Sequence, residues 1–329
     1  LIACQASEEV SPWKPAVCPL STHWGERVSP QNVWNVYPRP QLKRKEWLNL
    51  NGLWDFAVLP LNEGPPQEYQ GQILVPFPVE ASLSGVGRKV TEKERVWYRR
   101  FFTLPSAWKD KKIYLHFEAA DWETTVWING QLIGTHRGGY DPFEFDISPA
   151  LEGKGDQELV VAVWDPSDKG SQPRGKQVLQ PHGIWYTSTT GLWGTVWVEP
   201  VEEIHLEQLR IFPDIDKEMV RLEINLSGPQ EGINLKAKVL EEDKVIAENV
   251  VSPGEELLLP VDNPHLWSPE DPYLYRLEIT VTKGDQLLDD VESYFGMRKI
   301  SLARDRPVSY THLRAHETRH DLVCRLLLE

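Results

Sequence analysis

The stretch Gly183-Ile184-Trp185-Tyr186-Thr187-Ser188-Thr189-Thr190-Gly191-Leu192-Trp193-Gly194-Thr195-Val196-Trp197-Val198-Glu199-Pro200 decides the fold class of this chain. Aromatic and β-branched residues alternate in it with glycines. Such side chains suit a pleated, half-buried surface, and glycine between them marks a tight turn. The segment therefore reads as strand, turn, strand.

The same signals extend in both directions. Leu50–Val58 alternates after an Asn-Gly pair, Val96–Leu104 is rich in aromatics, and Lys112–Glu118 alternates cleanly. Thr124–Gly134 sets Asn129-Gly130 between two apolar runs, a strong hairpin signal. Glu158–Trp164, apolar from Leu159 on, reads as a buried strand. No long helical period competes. Short strands separated by turns predict a β-sandwich over residues 41–200. A second set of strands, at Leu222–Leu226, Leu235–Leu240, Glu256–Leu259 and Leu274–Val281, predicts an immunoglobulin-like sandwich over 201–300. No Cys falls in 201–300, so that sandwich has no inter-sheet disulfide. Residues 1–40, with Ser11-Pro12-Trp13-Lys14-Pro15 and Val36-Tyr37-Pro38-Arg39-Pro40, read as a tether that becomes an extended arm.

A chain of 329 residues is long enough for two domains at ~150 residues each. Its net charge of −14 argues against nucleic acid, which demands a basic face. A neutral or small partner fits better. Trp is over-used, with 14 residues. Most are expected in sandwich cores. A few are expected to stack on sugars, since an indole offers a flat apolar face and one N–H donor.

Several stretches, in order, resemble glycoside hydrolase family 2, the family of β-galactosidases, β-glucuronidases and β-mannosidases. Trp97–Phe102 is similar to the strand that opens its first sandwich. Val126–Gly130, Gly138–Phe143 and Phe145–Ile147 are similar to the centre of its jelly roll. The Gly183–Pro200 stretch is similar to the end of that domain. Leu266–Tyr275 resembles the second, immunoglobulin-like domain, and Tyr294–Ile300 its exit toward the barrel. The resemblance implies an all-β chain: a galactose-binding-like jelly roll, then an immunoglobulin-like sandwich. It implies a β-linked glycoside as partner and no cofactor or metal. In the family, two Glu of a (β/α)₈ barrel perform retaining hydrolysis from ~5–5.5 Å apart. Nothing after Ile300 resembles that barrel, which needs ~250 residues. The expectation is an N-terminal fragment of a galactosidase-like or glucuronidase-like exo-β-glycosidase, with no catalytic residue and no hydrolysis of its own. The missing barrel of the same polypeptide is its natural partner. The alternative is a non-catalytic carbohydrate-binding lipoprotein of the envelope.

Three residues are candidates for substrate contact. Leu159–Asp168 resembles, without gaps, a β-galactosidase segment whose Asp reaches the active site, which implies that role for Asp168. Read locally, Asp168 is a β-turn residue near Gly170. Arg174 and His182 flank a long loop, and loops on rigid scaffolds carry function disproportionately. Read locally, they are solvated loop residues. Some β-galactosidases add an Asn from the loop before the strand at Trp97. Residues 81–96 contain none, a departure that weakens a galactosidase assignment.

Both ends of the chain stand apart. Leu1-Ile2-Ala3-Cys4, followed by polar Gln5–Glu9, resembles the end of a bacterial lipoprotein signal peptide. It implies a lipid anchor on Cys4 and an envelope location, in the periplasm or at the outer membrane. At the other end, 301–329 changes in composition. His316-Glu317-Thr318-Arg319-His320 matches a zinc-protease pattern, but a helix, a further ligand and a cleft are needed as well. Val308–Glu329 resembles a translated sequencing adapter, which implies a foreign tail in which neither the histidines nor Cys324 has a role.

Overall fold

The computed structural model describes residues 13–300 apart from positions 19 and 154. Cys4, the His316–His320 pattern and the rest of the 301–329 tail lie outside the described residues. The described residues contain strands and six single-turn 3-10 helices, with no α-helix among them. They form two units. One holds the described residues up to Pro38 with Glu46–Glu202, the other Arg39–Lys45 with the described residues from Glu203 on.

The first unit is a jelly-roll sandwich. Its larger sheet orders six antiparallel strands as Gly71–Val75, Gly52–Pro60, Glu94–Thr103, Asp156–Trp164, Glu123–Ile128 and Gln131–Arg137. The facing sheet orders Leu48–Asn49, Val196–Val201, Lys112–Phe117 and Phe143–Asp146. Period-two alternation fixes which side chains enter the core. Glu123–Ile128 shows this directly, with Thr124, Val126 and Ile128 buried and their neighbours half-exposed. Trp54, Tyr98, Leu115, Phe117, Leu159 and Val161 fill the space between the sheets.

Asn129 and Gly130 form the hairpin turn, with φ of 49° and 77°. Two consecutive positive φ values match the right-handed twist of the strands, which is why Asn-Gly serves here. The Asn129 side chain does more than turn the chain. It donates to Ala150 O (3.0 Å) and Gln157 Oε1 (2.8 Å), and accepts from Glu158 N (2.8 Å).

The second unit packs a three-stranded sheet, Leu206–Asp214, Met219–Leu226 and Leu257–Pro260, with a four-stranded one. The latter orders Lys244–Val251, Ile233–Glu241, Tyr275–Lys283 and Gln286–Phe295. Seven strands in two sheets around Val220, Leu222, Val239, Leu277, Ile279 and Val291 make the immunoglobulin-like sandwich. Polar bonds also cross between its sheets, from Leu206 N to Asp289 Oδ2 (2.8 Å) and from Asn249 Nδ2 to Leu258 O (3.0 Å).

Three expectations are corrected. The Gly183–Pro200 stretch is not strand–turn–strand: only Val196–Val201 is a full strand, while Tyr186–Thr187 and Gly191–Leu192 are two-residue pairings within a loop. Gly191 explains part of this. Its φ is 96°, outside the extended region, and an added Cβ would meet the Tyr98 hydroxyl, so the backbone turns here close against the core. Second, Arg39–Lys45 lies with the second unit, through a bridge between Lys43 and Glu292, although the sequence reading began the first sandwich at 41. Third, of the Trp residues only Trp54, Trp97, Trp108 and Trp197 are fully buried. Most of the others sit half-exposed, because loops and sheet ends carry much of the indole surface.

Candidate functional site

One end of the first sandwich collects most of the unusual chemistry. The C-terminal end of Asp156–Trp164 lies beside the start of Glu123–Ile128, with Trp164 opposite Glu123. The loop from Asp165 to Thr190 folds over this end.

That loop is built from side-chain-to-backbone bonds. Asp165 Oδ1 accepts from Ser167 N (2.7 Å), turning the chain into the short 3-10 turn Ser167–Lys169 that carries Asp168. The Ser167 and Ser188 hydroxyls meet at 2.8 Å and close the loop on itself. Farther along, Gln177–Val178 pairs in parallel with Tyr186–Thr187, so the residues between them form a smaller loop bearing His182. His182 Nδ1 lies 2.9 Å from Gln180 O, which orients the imidazole.

Asp168 and His182 come together. With Lys169, Val178, Leu179 and Gln180 they line an open cavity of about 360 Å³. Asp168 Oδ1 is sealed from solvent without a hydrogen-bond partner, and the Lys169 ammonium lies 3.6 Å from it. His182 is exposed. Arg174 does not line this cavity; its Nε is covered and makes no hydrogen bond. Among the described residues no cluster of three or more His, Cys, Asp or Glu is arranged for a metal.

Beneath the loop lies a group of side chains that sequence reasoning did not single out. Asp121 and Asp165 are only 2% and 3% exposed, and Glu80 has its Oε1 sealed. Thr190 links two of them, donating its N–H to Glu80 Oε2 (2.9 Å) and its hydroxyl to Asp165 Oδ2 (3.4 Å). Gln177 links the third. Its amide donates to Asp121 Oδ2 (3.2 Å) and Tyr140 Oη (3.0 Å), and its carbonyl accepts from Thr189 N (2.6 Å). Burial pushes Glu80 up to about 7. Burial, then the neighbouring Asp165 charge, does the same for Asp121. Asp165 is also raised by burial. A carboxyl held near neutrality in this way is a common sign of a functional or switching site. No linear motif announced it. An Asp after a strand reads as a turn, and Glu80 and Asp121 lie far from it in sequence.

Aromatic residues rim the same end. Trp193 donates to Gly139 O (2.8 Å) and meets Tyr140 edge-on at 6.0 Å. Trp122 meets Trp164 edge-on at 6.4 Å. Tyr186 and Ile184 are exposed on the loop. Flat rings beside carboxylates, an amide and an imidazole suit a polyhydroxylated ring, which needs apolar contact on one face and hydrogen bonds at its edge.

The fold is that of an all-β chain of two sandwiches. The profile described as "Glycosyl hydrolases family 2, sugar binding domain" matches residues 73–188, and that described as "Glycosyl hydrolases family 2" matches residues 204–298. The chain belongs to glycosyl hydrolase family 2. A β-galactosidase of Thermoanaerobacter pseudethanolicus is 27% identical over 68% of this chain and 32% of its own length. A β-glucuronidase of Paenibacillus borealis is 27% identical over 82% of this chain and 48% of its own. The solved β-glucuronidase of Ruminococcus gnavus with D-glucuronic acid superposes with a TM-score of 0.66 at 24% identity, covering 81% of this chain and 48% of that one. This likeness bears on the fold. The chain thus spans about a third to half the length of these relatives.

Proposed function

We propose that this chain provides the sugar-binding and immunoglobulin-like portion of an exo-β-glycosidase acting on β-glucuronides or β-galactosides. The observation that carries the reading is the convergence of Asp168 and His182 on one open cavity at the aromatic-rimmed end of the jelly roll. A carboxylate and an imidazole there can accept and donate hydrogen bonds to ring hydroxyls, beside the apolar side chains of Val178 and Leu179.

The reading assigns no catalytic role to the described residues. Retaining hydrolysis needs one carboxyl to protonate the leaving oxygen and another to attack the anomeric carbon, ~5–5.5 Å apart across an accessible sugar. Glu80, Asp121 and Asp165 are covered by the loop and bound to Thr190 and Gln177, so no anomeric carbon can reach them. The 329-residue polypeptide is therefore expected to bind sugar weakly and to leave aryl β-glycosides intact.

The test is a pair of measurements on the same preparation. Glucuronate and galactose are titrated into the chain by NMR, and aryl β-glucuronide and β-galactoside are incubated with it. Saturable shifts in the Asp168–His182 loop that weaken in Asp168→Asn and His182→Ala support the reading. Turnover above the blank would overturn the non-catalytic assignment. Absence of saturable binding to either sugar would overturn the sugar-contact assignment.

A further inference from the structure

We propose that Glu80, Asp121 and Asp165 form a proton-controlled clasp on the Asp165–Thr190 loop, holding it while the cluster retains protons and loosening it when all three carboxylates are ionised.

The geometry supplies the argument. Each carboxylate lies on a different segment: Glu80 after the Gly71–Val75 strand, Asp121 before Glu123–Ile128, Asp165 at the start of the loop. Each accepts a bond from the loop, through Thr190, Gln177 or Ser167. Among the described residues none of the three forms an ion pair, and the charges that act on them are one another's. Three covered like charges without a counter-ion cannot all persist, because desolvation and mutual repulsion act in the same direction. Either the cluster keeps protons or its segments separate to admit water. The loop is the part able to separate, since the other two carboxylates are fixed to the sandwich.

The surrounding groups do not supply the missing charge. Tyr98, from Glu94–Thr103, is raised by burial, and its hydroxyl already accepts from Leu192 N (3.2 Å). Tyr140 is raised by burial and bound to Gln177. His136 is lowered by burial and has Asp141 as its neighbour. At the rim, Lys169 faces Asp168, and Arg95 and Arg137 both face Glu123. Burial places the transition of Glu80 and Asp121 near neutral pH. The loop also carries the candidate sugar contacts, so the clasp would regulate that site. This consequence rests on the proposed function, whereas the clasp itself is tested without any sugar.

The experiment is hydrogen exchange of the full chain from about pH 5 to about pH 8, with protection referred to intrinsic rates. Peptides spanning 166–190 are expected to lose about tenfold or more in protection as pH rises through neutrality, while sandwich-core peptides stay protected. In Glu80→Gln and Asp121→Asn, which cannot ionise at those positions, the loss should shrink. Infrared difference spectra of the unmodified chain give a second readout that does not depend on how the variants fold. The carbonyl band of protonated carboxyl groups should disappear over the same pH range. Loop protection that is flat with pH, an equal pH response in wild type and variants, or no carboxyl band lost near neutrality would each overturn the clasp.

Discussion

Arg44 and Asp289 form a buried two-pronged ion pair inside the second unit, with Nε–Oδ1 at 3.0 Å and Nη2–Oδ2 at 2.8 Å. Both also serve Leu206: Arg44 Nη2 donates to its carbonyl (2.7 Å), and Asp289 Oδ2 accepts from its N–H (2.8 Å). A residue from before the first sandwich is thereby fixed into the second.

Arg44→Ala should destabilise the second unit by about 3–5 kcal/mol, because an uncompensated carboxylate stays buried. Asp289→Ala should cost about as much. The double variant should cost clearly less than the sum, since the residues act as one unit. Urea unfolding of the four proteins completes the cycle, and additive costs would refute the pairing.

At the hairpin, Asn129→Ala and Gly130→Ala should differ in magnitude. Gly130 has open space around a Cβ, so alanine there suffers only from the positive φ, about 1 kcal/mol. Asn129→Ala removes three hydrogen bonds and leaves Glu158 N–H without its acceptor, at about 2 kcal/mol or more. Thermal melts of both variants check the ranking.

Gly191→Ala should be among the most damaging single-methyl changes in the chain. The added Cβ would occupy the place of the Tyr98 hydroxyl, and the φ of 96° disfavours any side chain. Overpacking and backbone strain together should cost about 3 kcal/mol. Tyr98→Phe combined with Gly191→Ala should recover part of that loss by opening the space, readable in the melting temperature.

Stability of the first unit should fall as pH rises toward neutrality. Glu80 moves from an ordinary 4.5 to about 7 in the folded chain, and Asp121 from 3.8 to about 7. The folded state then binds more protons than the unfolded one across that interval. The stabilisation is complete below the ordinary values and is lost as pH rises through about 7. Urea midpoints measured across that range should decline, and Glu80→Gln should flatten the decline. A rising midpoint would contradict the sign.

Much of the architecture was legible in the linear pattern, for identifiable reasons. The alternation in Lys112–Glu118 and the Asn129-Gly130 turn express local backbone and burial preferences, which need no distant partner to be read. The stretches at Trp97, Gly183 and Leu266 carried the family. Asp168 and His182 were legible as loop residues, and the fold brings them to one cavity. Arg174 was selected by the same reasoning and stands apart from it, since loop membership does not specify where a side chain ends up.

What the sequence by itself determined is the all-β class, the two sandwiches and the strands that build them, because period two and turn chemistry are short-range properties. Tertiary structure alone decided that within Gly183–Pro200 the short strands pair with different partners, Tyr186–Thr187 with Gln177–Val178 and Gly191–Leu192 with Ala120–Asp121. It also decided that Arg44 belongs with Asp289, and that Glu80, Asp121 and Asp165 share one buried site. The reason is physical. Strand pairing sets residues distant in sequence opposite one another, as it sets Trp164 opposite Glu123. The electrostatics of a buried carboxylate then depend on which other carboxylates that pairing brings close.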